Sequence, residues 1–463
     1  MKNATIRRWR RIHKWSSLLC SAFLLMLCVT GLPLIFATEL EGALVREGAS
    51  ASMSQQGGML DEMVMVALAR YPGYAPSDIS LDDDRSRVLI GLMPPGEAVR
   101  RASRVTVEFD SQSGAMYDQH EHRGTATLTT FVVAMRELHS NLYAGMVGRL
   151  VLSVAGLAFV LAMLSGLVLH APFSKRHAFG SLRTGRTRRE AWRDLHILVG
   201  VPVFVWALAM GTTGVLNAVA ESLFRTWMVA EMRTVPKQAL ARHDGQVSAQ
   251  RALAAVRVAE PARSVKTVFF PDPRFGSPDH YMVVTTGTTR LSRMLFDIAL
   301  VDAGTGRFDG TLRMPAGLRV IQVSRSLHFG NFGGMPLKID WALLDGITFM
   351  LVVSGFALWR ERRRREGSPS AETVQPAQAL PVPRNAFATW RMPIVLGCVT
   401  AAGLLDALTG DGTTHVSDTL ALALPAALIA WFVARRIFGA RVGPSPRGAN
   451  GHNAADCRRR PGS

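Results

Sequence analysis

Acidic residues are scarce in this chain: 35 Asp and Glu stand against 53 Lys and Arg in 463 residues, a formal net charge of +18. Cysteine is scarcer still. Of the four, Cys20, Cys28 and Cys398 fall in apolar runs, Cys457 lies in the basic tail, and none forms a C-x-x-C pair. That spacing excludes a thiol-ligated cluster and a framework of structural disulfides. No G-x-G-x-x-G follows a strand pattern and opens a helix, so the chain offers no nicotinamide or flavin site of its own.

Long apolar runs are present instead. Four, at 16–37, 147–170, 197–219 and 341–359, are each long enough to cross a hydrocarbon core of about 30 Å. Two weaker runs follow at 393–409 and 418–438. The positive charge sits at alternate ends of these runs. Residues 1–15, 171–195, 360–391 and 435–463 together carry +21, so everything else carries −3. By the positive-inside rule these patches and both termini face the cytoplasm. Residues 38–146, 220–340 and 410–417 then face the opposite side, and a bacterial inner membrane is the simplest setting. The charge is thereby accounted for by orientation, with no nucleic acid expected. RRWRR (7–11) imitates a twin-arginine signal, but the apolar run after it is long and FATEL (36–40) is a poor cleavage site, so an uncleaved anchor is expected.

The chain reads as a duplication. His13 aligns with His196; eighteen residues after each stand Gly31 and Gly214, preceded by Thr30 and Thr213. His139 aligns with His328; Tyr143 and Phe332, Gly145 and Gly334, and Arg149 and Lys338 follow in register, and then the dipeptides Ser165-Gly166 and Ser354-Gly355. Residues 58–118 and 248–310 each begin with a helical stretch, alternate like strands and end in a D-x-x-[ST]-G hairpin signal. The expected fold is an α-helical integral membrane protein: a duplicated two-span unit forms a four-helix core with two extracytoplasmic α+β domains, and two extra spans are appended. The expected organisation is an N-terminus and first span (1–37), an outer domain (38–138), a second span (139–170), a basic cytoplasmic loop (171–195), a third span (196–219), an outer domain (220–327), a histidine loop and fourth span (328–360), a cytoplasmic linker (361–391), spans five and six (392–438) and a basic tail (439–463). No helix pair is obviously broken, and Asp345, the one acid well inside a core span, is expected to face the bundle.

Both copies start on the same side, so a pseudo-two-fold axis along the membrane normal relates them. It sets His13 opposite His196 near the cytoplasmic face and His139 opposite His328 near the outer face. All four stand in the frame R-x-[IL]-H. Two histidines on facing helices suit the two axial sites of a haem iron, and two such pairs suit two haems of the b type. Arg10, Arg136, Arg193 and Arg325, each three residues before a ligand and on its face of the helix, are candidate propionate partners. Ser17, Gly145, Gly200 and Gly334 leave room for a flat ring. A bare zinc or copper site would recruit more acids; Glu137 and Asp194 have no equivalents in the other half. The competing reading makes these histidines interfacial anchors. His170, whose repeat equivalent is Trp359, stands at a depth where it could replace a cytoplasmic-side ligand, while His120, His122, His177, His243, His280, His415 and His452 read as solvated.

LHSNLYAGMVGRLVLSVAGLAFVLAMLSGL (138–167), WRDLHILVGVPVFVWALAMGTTGVL (192–216) and LHFGNFGGMPLKIDWALLDGITFMLVVSGFALW (327–359) resemble the PepSY-associated transmembrane family, over roughly residues 5–360. The resemblance implies outer domains of PepSY type, a role in iron acquisition, and reduction of a ferric siderophore by electrons from a donor outside the chain: a quinol, a protein or a diffusible reductant. Two other functions stay open, a siderophore or metal permease without catalysis and a regulator whose outer modules bind a peptidase.

Overall fold

The structure, a computed structural model, describes residues 3–42, 60–82, 86–94, 104–117, 123–174, 187–235, 247–273, 277–366, 386–410 and 416–439. His120, His122, His177, His243, His415, His452, Cys457 and most of the linker lie outside the described residues.

Among the described residues six helices are long and apolar enough to cross a membrane, so the chain is a multi-pass membrane protein. The first is α1 (Asn3–Ile35), followed by the short α2 (Ala37–Gly42). Then come α3 (Leu60–Arg70), β1 (Ala75–Asp82), β2 (Arg87–Met93) and β3 (Val105–Asp110), and after them α4 (Arg123–Asn141) and the second span α5 (Gly145–Ser174). Next come α6 (Arg188–Gly200) and α7 (Phe204–Met232), α8 (Ala249–Ala259), β4 (Ser264–Phe269), β5 (His280–Thr286), the single-turn α9 (Arg290–Arg293), β6 (Phe296–Asp302), β7 (Phe308–Leu312), α10 (Ala316–Phe329) and α11 (Gly334–Glu366). A final hairpin, α12 (Ala386–Thr409) and α13 (Val416–Gly439), lies against α7 and α11.

Three breaks shape the bundle. α4 and α5 are separated by a turn in which Leu142 and Tyr143 (both φ 56°) and Gly145 (φ 55°) take the left-handed conformation. α10 ends on Gly330 (φ 62°), whose amide donates to the Ser326 carbonyl, a C-terminal stop that glycine makes without strain. A side chain there would also strike the Trp341 ring, 2.9 Å from an ideal Cβ. The third break corrects a sequence expectation. The span expected at 196–219 is divided at Val201–Val203 into α6 and α7, because Pro202 has no N–H to continue the ladder. Beyond the break α7 runs on to Met232, farther than that span was expected to reach.

The strands of the two halves join in one antiparallel seven-stranded sheet, ordered β3-β2-β1-β4-β5-β6-β7. The seam is β1 against β4, with Ile79 opposite Val268. Two separate outer domains would each expose that strand as an edge, a liability for a sheet; pairing removes both edges. One face is covered by α3 and α8, with Met63, Ala67, Ala252 and Leu253 packed on Ile79, Ile90, Phe109 and Val268. On the other face of β5 and β6, Met282, Ile298 and Leu300 pack against Met228, Phe224 and Trp227 of α7. A membrane helix is therefore also part of the sheet's core.

Reciprocal ion pairs tie the spans together at the sheet end. Arg149 of α5 meets Glu221 of α7, and Lys338 of α11 meets Glu39 of α2 at 2.7 Å. The α12–α13 hairpin reaches the sheet layer through Asp418, 3.6 Å from Arg290 of α9. Asp345 is half-buried and lies beside Cys28 of α1.

Candidate functional site: two facing histidine pairs

Residues far apart in sequence meet at two places in the bundle. Away from the sheet, His13 of α1 faces His196 of α6, ring centres 6.4 Å apart and planes at 73°. Nearer the sheet, His139 of α4 faces His328 of α10, 6.5 Å apart and at 60°. These are the sequence-expected partners. The levels of the two pairs can be read along α1, which carries His13 and also Thr30, the residue that touches His139. Their 17-residue separation corresponds to roughly 25 Å of helix.

Each ring is held from behind by a neighbouring span. The Nδ1 of His13 lies 2.9 Å from the Ala162 carbonyl and 3.2 Å from the Ser165 hydroxyl of α5. His196 repeats this on α11, with the Leu351 carbonyl at 3.2 Å and the Ser354 hydroxyl at 3.0 Å. His139 Nδ1 is 2.9 Å from Thr30 Oγ1, and His328 Nδ1 is 3.0 Å from Thr213 Oγ1 of α7. A carbonyl can only accept, so Nδ1 carries the proton in the first pair. Each threonine hydroxyl already donates to a carbonyl of its own helix, Met26 at 2.9 Å and Ala209 at 2.7 Å, so it too accepts from Nδ1. All four rings are thereby fixed as the tautomer whose free lone pair is on Nε2. Among the described residues no hydrogen-bond partner reaches any of the four Nε2 atoms.

The glycine after each hydroxyl completes the seat. An ideal Cβ on Gly31, Gly166, Gly214 or Gly355 would stand 3.2 to 3.3 Å from Cε1 of His139, His13, His328 or His196 respectively. Four [ST]-G dipeptides therefore receive four imidazole edges. They stand at matching offsets from the histidines in the sequence, but the contacts span 109 to 158 residues, and nothing local in the sequence assigns them to a ring. The small residues singled out beforehand do something else. Gly145 and Gly334 open helices at positive φ with open space or Pro336 beside them, and Gly200 meets Leu351. The Ser17 hydroxyl donates to the His13 main-chain carbonyl at 2.6 Å.

This geometry suits one metal atom between each pair. Metal–imidazole bonds of about 2.0–2.1 Å on opposite sides of one atom set the ring centres roughly 6 Å apart. No carboxylate or thiolate joins either pair in a cluster of three among the described residues.

The other candidates fall elsewhere. Arg10, Arg136 and Arg325 are exposed and Arg193 is half-buried; the Arg325 guanidinium lies over the Phe329 ring and Arg193 stands 3.8 Å from Asp194. Glu137 accepts from the Asn141 amide. His170 lies against Trp390 of α12, ring centres 5.8 Å apart. His280, expected to be solvated, is buried, with Nδ1 on Ser277 and Nε2 on Asp309. Asp302 comes close to it, yet its Oδ1 already accepts from Gly304 N, Thr305 N and the Thr305 hydroxyl. That cluster is the latch of the D-x-x-[ST]-G hairpin. Asp110 closes the equivalent turn in the first half, where the Ser113 amide and hydroxyl hold its carboxyl below the usual carboxylate range.

Residues 10–362 match the family described as the PepSY-associated TM region. An uncharacterized protein of Pseudomonas aeruginosa is 35% identical over 80 residues. That stretch is 17% of this chain and 20% of the relative, so the chain spans about a fifth of that protein's length in the match.

Proposed function

The chain belongs to the PepSY-associated transmembrane family, and on that premise we propose that it is a di-haem electron carrier of a bacterial inner membrane, moving electrons outward to reduce a ferric, siderophore-type chelate for iron acquisition. The observation that carries this reading is the twofold occurrence of facing histidines at 6.4 and 6.5 Å with Nδ1 anchored. Haem b, when bound, supplies reversible one-electron chemistry at an iron whose axial sites take imidazole. His13 with His196 would hold one haem and His139 with His328 the other. Ser165, Ser354, Thr30 and Thr213 would keep the histidine tautomer and orientation by holding Nδ1–H, as the outer hydrogen-bond partners of metal-bound histidine do. Gly31, Gly166, Gly214 and Gly355 give the rings space. Arg10, Arg136, Arg193 and Arg325 are the proposed propionate partners.

The four basic patches orient the chain with the His13 pair toward the cytoplasm and the sheet outside. The two sheet halves correspond to the PepSY-type domains of the duplicated unit, and the chelate would bind on the sheet side, within reach of the His139 pair. Ferric siderophores hold iron tightly and ferrous iron is released far more readily, so one electron per iron unloads the chelate. The donor is a quinol, a protein or a diffusible reductant on the cytoplasmic side.

The test is the absorption spectrum of the purified protein, oxidised and dithionite-reduced. Sharp reduced bands of a low-spin b-type haem, at two haems per chain, are expected. His139→Ala and His328→Ala each remove one haem and leave the other. A colourless protein under ample haem supply sinks the reading, and full haem content in both variants sinks the assignment of ligands. A second reading, a siderophore permease, draws on the break at Val201–Val203, since transporters use discontinuous spans. It requires a haem-free protein that moves chelate across vesicles without reducing it.

A further inference from the structure

The hairpin latch in the second half of the sheet holds more polar groups than a turn needs. His280 opens β5, Asp302 ends β6 opposite it, and Asp309 stands on β7, an edge strand of the sheet. His280 and Asp302 are buried, and Asp309 reaches the surface. One ligand atom from each of the three lies within 4.8 Å of the other two. Each residue is also held from behind. His280 Nδ1 lies 3.0 Å from the Ser277 hydroxyl. Asp302 Oδ1 takes the turn amides of Gly304 and Thr305. Asp309 Oδ1 takes two guanidinium nitrogens of Arg307, at 2.9 and 2.8 Å. That leaves His280 Nε2 and Asp309 Oδ2, which stand 3.2 Å apart, and Asp302 Oδ2, which no hydrogen bond reaches among the described residues.

The first half of the sheet shows the same turn closed by side chains alone. Arg87 stands opposite Asp110, as His280 does opposite Asp302. Tyr117 follows Asp110 by seven residues, as Asp309 follows Asp302. The Tyr117 hydroxyl donates to Asp110 Oδ2 at 3.4 Å, and the Arg87 guanidinium lies over the Tyr117 ring. There the second carboxylate oxygen has a donor, and a cation is built in. In the second half the phenol is replaced by another carboxylate and the arginine by a histidine.

We propose that His280, Asp302 and Asp309 bind a divalent first-row transition-metal ion, which ties the edge strand β7 to β5 and β6. Two carboxylates facing one imidazole call for positive charge, since like charges at close range disfavour each other's ionised form. Ligands about 2.0–2.2 Å from one tetrahedral ion stand about 3.3–3.6 Å from each other, close to the His280–Asp309 separation. One imidazole nitrogen with two carboxylate oxygens suits zinc, ferrous iron or manganese, and the lack of a thiolate disfavours soft ions such as Cu(I). The Ser277 hydroxyl can accept from Nδ1–H, which leaves the Nε2 lone pair to the ion. Outer partners of this kind orient metal ligands, and here Ser277, Arg307 and the turn amides supply one for each. Asp309, at the surface, gives the ion its way in. The site is independent of the haem reading.

The experiment is equilibrium dialysis of the full-length protein in nanodiscs, stripped with a chelator, against Zn²⁺. Wild type binds one Zn²⁺ per chain that Asp309→Asn and His280→Gln do not bind. Ser277→Ala keeps the stoichiometry and weakens the affinity about 10–100-fold, as loss of an outer partner does. His280→Arg with Asp309→Tyr rebuilds the first half's arrangement, so it keeps the circular dichroism of wild type and binds no such ion. Zn²⁺ raises the melting temperature of wild type and leaves that of the double variant in place. His13→Ala with His139→Ala, which breaks both facing pairs in the bundle, retains the ion. Equal Zn²⁺ content in wild type and the His280 and Asp309 variants, or loss of the ion when the bundle pairs are broken, overturns the proposal and leaves His280 as a hydrogen-bonded latch.

Discussion

The two histidine pairs reach nearly the same geometry by different routes. At the His13 pair one histidine stands near the start of span α1 and the other, His196, near the end of α6, which leads into span α7, and their seats lie far along the spans α5 and α11. At the His139 pair both ligands sit at the ends of separate helices, α4 and α10, and the seats are on α1 and α7. The first pair depends on helix-to-helix packing alone. The second depends also on the two left-handed turns that fold α4 and α10 back against the bundle. What is held constant is the relation of ring to [ST]-G dipeptide; the element that delivers the ring is free to differ.

The largest expected effect that separates the pairs comes from filling a seat. Gly355→Val puts a branched side chain where a single Cβ would already stand 3.2 Å from the His196 ring. The overpacking costs about 1–3 kcal/mol and displaces a ligand. Haem content should fall by half, with the His139 pair spectrally unchanged. Gly31→Val should give the mirror result, and loss of both haems from either variant would show that the centres are not independent. Next in size is Gly330→Ala, which strains a positive φ and strikes Trp341. It should disturb the His139 pair alone, by about 1–3 kcal/mol in a detergent melt, and an equal effect on the His13 pair would blur the distinction between the two routes. The smallest contrast lies in the reciprocal ion pairs. Lys338 is buried and Glu221 is exposed. Lys338→Met should therefore cost about 1–3 kcal/mol, as loss of a charged hydrogen bond does, and Arg149→Met about 0–1 kcal/mol. Equal losses in the same melt would mean that the two halves are braced alike.

The histidine pairing was legible because histidines at matching positions in the sequence pattern, His13 with His196 and His139 with His328, also face each other in space. The same alignment displayed Thr30-Gly31, Thr213-Gly214, Ser165-Gly166 and Ser354-Gly355, yet gave no hint of their role. A dipeptide of one small hydroxyl residue and glycine is ordinary in packed spans, and only a ring from a distant helix makes it a seat. Gly200, chosen for its nearness to His196 in sequence, proved to face Leu351, which shows how poorly proximity along a helix predicts what a ring touches. The break at Val201–Val203 was readable at Pro202, but a long apolar run argues strongly for one continuous span and outweighed it.

By itself the sequence determined most of the spans, from apolar runs matched to a bilayer's thickness, and which histidines face each other, from a repeated frame. Both are properties of composition and period, which survive without knowledge of packing. Only the tertiary structure decided that the outer strands of both halves close into one sheet, that α7 extends into that sheet's core, and that each imidazole is turned by a hydroxyl from another span. Edges, seams and seats are contacts between surfaces, and their energies depend on distances that no stretch of the chain sets alone.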